Sequence, residues 1–342
     1  MERIAVIAIE KPADKISANL RVFLESSSIS YPFSVKRIQA GRNSKIYQIE
    51  ENGSKWILKE YYQQDADPRD RLKTEYSFLS FLNINSIEHV AEAIASDSNH
   101  NRGLYSYLPG KKPSNINSDF IRQAYEFIQK INQHRNHPTA RSLPNASEAC
   151  FSISAHLKCV EKRVNILKEM VPTRGIDFDA FNFIQKQLVP KHTQIERRTM
   201  ENVNDKVLST TLSNQECILS PSDFGFQNTL INEDTVSFLD FEYAGWDDPA
   251  KLICDFGCHP EIPVRNEYMR TFKDSFYPWL EETENAILRS EILMPLYRLK
   301  WCCIILNEFT SMGRARRNHA GEIFDYENQL HKSKTYFNKY LI

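Results

Sequence analysis

Apolar residues along this chain repeat in two registers, and the change from one to the other divides it. Residues 33–61 carry a strand pattern. Runs at 45–49 and 55–61 flank Glu51-Asn52-Gly53-Ser54, and Asn-Gly between two such runs predicts a hairpin. Asp67-Pro68 then supplies a capping acid with Pro at the first helical position, and Leu72, Leu79 and Leu82 form one stripe of the helix that follows. Residues 90–95 and 104–108 predict two more strands around a turn at 97–103, and Leu108-Pro109-Gly110 ends the second. Beyond Pro113 the spacing is helical. Asn117-Ser118 caps a stripe of Phe120, Ile121, Ala124, Phe127, Ile128 and Ile131; Ile153, Leu157, Val160, Val164 and Leu167 mark the next helix; a third starts at Asp177 and runs on through the polar residues 191–205. After a short strand at 236–239, Asp248-Pro249 opens another helix, 268–276 a further one, and residues 287–312 are apolar nearly all round, the mark of a buried helix. Phe324, Leu330, Phe337 and Leu341 line the last. Ahead of the strands, residues 15–24 predict a helix on Ile16, Leu20 and Phe23, and Ser26-Ser27-Ser28 and Tyr31-Pro32 read as a linker.

Composition sharpens this. The chain has 342 residues, enough for two lobes and a sizeable core. With 10 Gly and 15 Pro it is poor in turn formers, which fits a mainly helical protein. Lys and Arg number 43 against 44 Asp and Glu, so no global basic field points to nucleic acid, and Arg314-Ala315-Arg316-Arg317 reads as a solvated helix end. No apolar run approaches the roughly 18 residues of a membrane span. Seven cysteines without framework spacing fit reduced thiols, and with them a cytoplasmic location. Cys254, Cys258 and His259 lie close together but lack a second ligand pair for zinc.

The chemistry collects between Leu219 and Asp248. Asp223 sits in a polar turn after Ile218-Leu219, Asn228 follows five residues later, and Asp240 ends the 236–239 strand twelve residues on. An Asp and an Asn in one loop with a second Asp at a strand end suit phosphoryl transfer: one carboxylate orients and deprotonates a hydroxyl, while the Asn and the other Asp hold the magnesium (Mg2+) that bridges nucleotide phosphates. Upstream, Lys59 ends the run Trp56-Ile57-Leu58-Lys59, and Glu75 falls within the apolar stripe of the following helix. A carboxylate on a buried face requires a partner, and Lys59 is the natural one.

In chain order these features resemble the aminoglycoside phosphotransferase and choline kinase family. That family carries H-G-D-x-x-x-x-N, a short strand, then an Asp with a second acid two residues on, matched here by Asp223, Asn228, Asp240 and Glu242; Pro221 stands in place of its His and Ser222 in place of its Gly. The resemblance implies an α+β, protein-kinase-like bilobal fold: a small five-stranded antiparallel N-lobe sheet with one main helix, and a larger, mostly helical C-lobe. The division it implies is an extension at 1–34, a nucleotide-binding N-lobe at 35–108, and a C-lobe at 109–342 with the catalytic loop and acceptor pocket. Asp223 would be the catalytic base, Asn228 and Asp240 the metal ligands, and Lys59, fixed by Glu75, the phosphate contact. Asn43 and Ser44, in the turn from Gly41, would cover the phosphates, and the backbone near Tyr105 and Tyr107 would meet the purine of ATP or GTP. Glu242, Trp301 and Glu308 become candidates for contact with a small hydroxyl-bearing acceptor of aminoglycoside, amino-alcohol or sugar type. A literal Asp255-Phe256-Gly257 lies on the helix opened by Asp248-Pro249 and is expected to be a coincidence. The alternative is a catalytically inactive nucleotide-binding or scaffold protein of the same fold, favoured by Pro221. The sequence carries no sign of oligomeric state.

Overall fold

The computed structural model describes residues 10–11, 17–38, 44–63, 69–321 and 325–342. Six strands form an antiparallel sheet in the order β1-β2-β3-β4-β6-β5: β1 (Glu10–Lys11), β2 (Ser34–Ile38), β3 (Ser44–Glu51), β4 (Ser54–Tyr61), β5 (Ala93–Asp97) and β6 (Arg102–Ser106). The predicted hairpin joins β3 to β4. Asn52 and Gly53 take φ of +50° and +84°, the pair of left-handed residues that a tight two-residue turn demands.

One finding amends the five-stranded expectation, and another concerns the segment ahead of the sheet. β1 adds a sixth strand beside β2. The helix expected near residues 15–24 is α1 (Ala18–Ser26), and its Phe23 and Leu24 are buried with Ile29, Phe33, Val35, Ile49, Leu58 and Leu104. Part of the supposed extension thus completes a core on the sheet.

The helix after β4, α2 (Arg71–Ile84), starts later than expected. Asp70 caps it, accepting from the Lys73 amide at 2.9 Å, while Asp67-Pro68 lie outside the described residues. Its buried face is Leu72, Glu75, Phe78, Leu79, Phe81 and Leu82, so a carboxylate does sit in the apolar stripe. β5 and β6 also lie two or three residues from their expected places.

The rest is mainly helical. α3 (Ser118–Gln133) is capped by Asn117 and buries the six residues of its predicted stripe. Phe127 stacks on Phe238 with centroids 4.0 Å apart, a pair that adds about 1 kcal/mol to its buried area. Then come α4 (Pro138–Arg141), α5 (Ile153–Lys168), α6 (Gly175–Phe183), α7 (Val189–Asn202) and α8 (Asp205–Ser209). One π-turn, Ile184–Leu188, carries α6 into α7, placing Pro190, which has no amide hydrogen, in the first turn of α7.

Two small ribbons follow: β7 (Ile218–Ser220) pairs with β10 (Gly245–Asp247), and β8 (Thr229–Asn232) with β9 (Thr235–Phe238). Gly245 is required where it stands, because a Cβ there would lie 2.2 Å from the Pro144 carbonyl oxygen. α9 (Pro249–Cys258), α10 (Asn266–Phe276), α11 (Thr283–Ile305), α12 (Ser311–Ala320) and α13 (Tyr326–Leu341) complete the chain. The long helix expected to reach Met312 stops at Ile305. A 3-10 turn at Asn307–Phe309 and the Thr310 cap then start α12 in a new direction. All seven cysteines are free thiols, and no helix among the described residues is long and apolar enough to cross a membrane.

Candidate active site

The residues singled out upstream and downstream meet in one cleft of about 650 Å3. β4 delivers Lys59 and α2 delivers Glu75. The Lys59 ammonium lies 2.7 and 2.9 Å from the two Glu75 oxygens and 3.0 Å from Asp240 Oδ1. Burial opposes the Lys59 charge, but the carboxylates of Asp240 and Glu75 overcome it and push its pKa up, so the ammonium is secure. Glu75 is 2% exposed and also accepts from the Tyr61 hydroxyl at 2.7 Å and the Phe241 amide at 3.4 Å. The helix, the strand lysine and the Asp240 segment are therefore one hydrogen-bonded unit. Phe241 locks the same joint through its stacking on Phe78, 5.5 Å between centroids.

The Asp223 loop lies opposite. β7 leads into it, and β8-β9 returns the chain so that the Leu239 amide donates to the Asn228 carbonyl at 2.9 Å. That closure brings Asn228 beside Asp240. Asn228 Nδ2 donates to the Asp223 carbonyl at 2.9 Å and to its carboxylate at 3.2 Å, which leaves Asn228 Oδ1 for another partner. Asp240 has a φ of +66°, a conformation that costs a side-chain-bearing residue on the order of 1–2 kcal/mol and that gathers at functional sites. An amide oxygen and a carboxylate are the hard oxygen donors that magnesium takes, so the pair fits that ion.

Other expected residues fall as follows. Ser44 is buried in the cleft wall, and its hydroxyl lies 3.4 Å from Glu242; Asn43 lies outside the described residues. The Tyr105 ring turns into the core, where its hydroxyl meets that of Tyr61 at 2.7 Å and supports Glu75 at second hand. Tyr107, beyond β6, is exposed, with Lys55 5.7 Å from its ring centre. Trp301 on α11 and Glu308 in the 3-10 turn are buried and line the far side of the cleft, Trp301 edge-on to His259 at 4.4 Å and Glu308 paired with Arg317. Glu242 lies in the field of Asp240, 3.7 Å from Arg71. Asp255-Phe256-Gly257 lies on α9, where Asp255 pairs with Lys300 at 3.3 Å.

Sequence reasoning missed four contributors. Lys112, just past the inter-lobe connection, donates to the Gln227 carbonyl in the field of both Asp240 and Asp223. Gln227 itself lies 3.4 Å from the Asp223 carboxylate, and His259 Nε2 is 3.8 Å from it. Glu148 pairs with Arg163 at 2.7 Å in the cleft wall; burial works against that carboxylate, yet Arg163 and Lys300 pull it down to about 2. Apart from Gln227, which lies four residues from Asp223 in the same loop, none has a local signature, because each meets its partner on another element.

Burial pushes the Glu242 carboxyl up to about 7, with the Asp240 charge adding to the shift and Lys59 and Arg71 opposing it. A carboxyl raised above its usual 4.5 binds its proton more tightly folded than unfolded. Its contribution to stability is therefore full below about 4.5 and is lost as pH rises through about 7. The nucleotide-free protein is expected to lose on the order of 2 kcal/mol from this group between about pH 5 and pH 8, and Glu242→Gln to flatten that slope. Thermal melts across the range check it; an unaltered slope in the variant would clear Glu242 as the source.

Comparison with known proteins bears on the family and the fold. A model of the phosphotransferase enzyme family matches residues 34–278, while no curated protein matches the sequence. Among solved structures, a spectinomycin phosphotransferase in complex with ADP and spectinomycin superposes with a TM-score of 0.62 at 12% identity, covering 94% of this chain and 99% of that one. An ethanolamine kinase from Plasmodium vivax gives 0.61 at 12%, covering 94% and 86%. A choline kinase from Streptococcus pneumoniae gives 0.54 at 13%, covering 95% and 100%. At such identities the likeness is one of fold.

Proposed function

The chain belongs to the phosphotransferase enzyme family, and from that premise we propose that it is a small-molecule kinase moving the γ-phosphate of ATP or GTP to a hydroxyl of a small acceptor. The observation that carries this reading is the meeting, in one cleft, of the Lys59–Glu75 pair with Asp240 and with the Asn228–Asp223 loop. In this reading residues 35–108 bind the nucleotide and residues 109–342 supply the catalytic loop and the acceptor wall. The Asp223 carboxylate accepts the proton of the acceptor hydroxyl and orients its oxygen. Lys59, held charged by its two carboxylates, fixes the phosphates, and the backbone near Tyr105 and Tyr107 meets the purine. Asn228 and Asp240 hold magnesium, which, when bound, neutralises charge on the transferring phosphoryl group. Free thiols throughout suit a reducing compartment such as the cytoplasm.

The cleft's charge also bears on the acceptor. Seven Asp and Glu residues line it against seven Lys and Arg, and on the acceptor side Glu148, Asp255 and Glu308 each already face a cation. A polycation gains little from carboxylates so neutralised. Neutral or zwitterionic alcohols therefore fit better than aminoglycosides.

The test is γ-phosphate transfer from ATP and, separately, GTP to pooled amino-alcohols, aminoglycosides and sugars, with Asp223→Asn as control. Transfer that vanishes in the control supports the reading. Magnesium-dependent nucleotide binding without transfer to any pool would favour the scaffold alternative. A companion expectation separates Asp240 from Asp255: Asp240→Asn should weaken magnesium-nucleotide binding at least about tenfold, while Asp255→Asn should leave it within about twofold. Calorimetric titration decides, and the reverse order would move the metal site to α9.

A further inference from the structure

The Asp223 loop turns through a strained residue. Ser222 has a φ of +67°, in the left-handed region that side-chain-bearing residues enter at a cost. The Asp223 amide bonds back to the Pro221 carbonyl at 3.0 Å, closing a three-residue turn of the rare, strained hand. Glycine would take this turn freely. Serine has one thing glycine lacks, a hydroxyl, and it is engaged on two sides: Ser222 Oγ accepts from Lys251 Nζ at 2.8 Å and donates to the Ser147 carbonyl at 3.4 Å.

Lys251 projects from α9 and is 1% exposed. Its ammonium is itself fixed, 2.5 Å from Asp247 Oδ2 and 3.8 Å from Asp255. Asp247 belongs to β10 and pairs in register with Ile218 of β7, the strand that feeds the loop. The clamp thus closes a circuit from β7 through the loop to α9 and back through β10.

We propose that Lys251 is a positioning residue: anchored on Asp247, its ammonium grips the Ser222 hydroxyl and so holds the left-handed turn that aims the Asp223 carboxylate into the cleft. This rests on Asp223 being the base of the proposed reaction. It also accounts for a serine at a position where the backbone asks for glycine.

Two substitutions at one position separate the roles. Ser222→Ala removes the hydroxyl and keeps the cost of the turn; Ser222→Gly removes both. The expectation is that Ser222→Ala lowers kcat about tenfold with the nucleotide KM little changed, and that Ser222→Gly turns over about tenfold faster than Ser222→Ala. A hydroxyl serving stability alone would weaken both variants alike, or glycine more, and that result overturns the proposal. Removing Lys251 singly would strand a buried carboxylate, so Lys251→Met is combined with Asp247→Asn. That pair should reproduce the alanine defect, and adding Ser222→Gly should recover most of it. If the wild type transfers phosphate to no acceptor, the kinase reading fails by itself, and crystal structures of wild type and Ser222→Ala decide on the clamp. A Ser222→Ala turn relaxed out of positive φ, with Asp223 displaced, supports it; an unchanged backbone overturns it.

Discussion

Asp223→Asn is expected to lower turnover at least about 100-fold while nucleotide affinity stays within about threefold. The substitution is nearly isosteric, so the loop keeps its shape: Asn228 still donates to the backbone carbonyl of residue 223, and Lys59, Glu75 and Asp240 are untouched. What disappears is the negative charge and with it the capacity to take a proton from a hydroxyl. Because the groups expected to hold the nucleotide lie on other elements, binding and turnover should separate. Steady-state transfer alongside calorimetric nucleotide binding reads both. Near-wild-type turnover would remove Asp223 from the mechanism; parallel loss of binding would mean that the loop, and not the base, had been damaged.

The second large effect concerns Lys59. Lys59→Met should abolish most transfer and also destabilise the fold by on the order of 3 kcal/mol, because it leaves Glu75 charged and buried without its counter-ion. Tyr61 and the Phe241 amide still donate to that carboxylate, which keeps the loss at the lower end for a broken buried pair. Adding Glu75→Gln removes the stranded charge. The double variant should regain most of the stability and none of the activity. Chemical denaturation and transfer assays on both variants check this, and a Lys59→Met protein as stable as wild type would show that the pair contributes nothing net to folding.

What could be read from the sequence depended on the distance over which each feature is encoded. Lys59 and Glu75 were legible because a strand-end lysine and a glutamate in an apolar helical stripe each break a local rule that the other repairs. Asp223, Asn228 and Asp240 were legible as one short segment whose order survives Pro221 and Ser222. The α3 stripe was legible because its burial follows the helical period. Lys112, His259, Glu148, Arg163 and Lys251 were not, since their roles come from partners on other elements. The two-residue β1 is too short to leave a period, and α12 is separated from α11 by a turn whose direction rests on Thr310 and Asn307. Asp255-Phe256-Gly257 shows the opposite failure, a familiar tripeptide whose helix takes it elsewhere.

Only eight residues separate Asp240 from Pro249, and β10, pinned against β7 and against the Pro144 carbonyl through Gly245, occupies three of them. Phosphorylation-controlled enzymes need slack at this place, a stretch of chain that can flop across the active centre until a covalent mark tidies it away. Here the connection is already folded as a strand, and Glu75 is already seated on Lys59. In the reading proposed above, the joint that such a mark would have to tidy is thus preassembled, with Glu75 on Lys59 and no slack between Asp240 and Pro249.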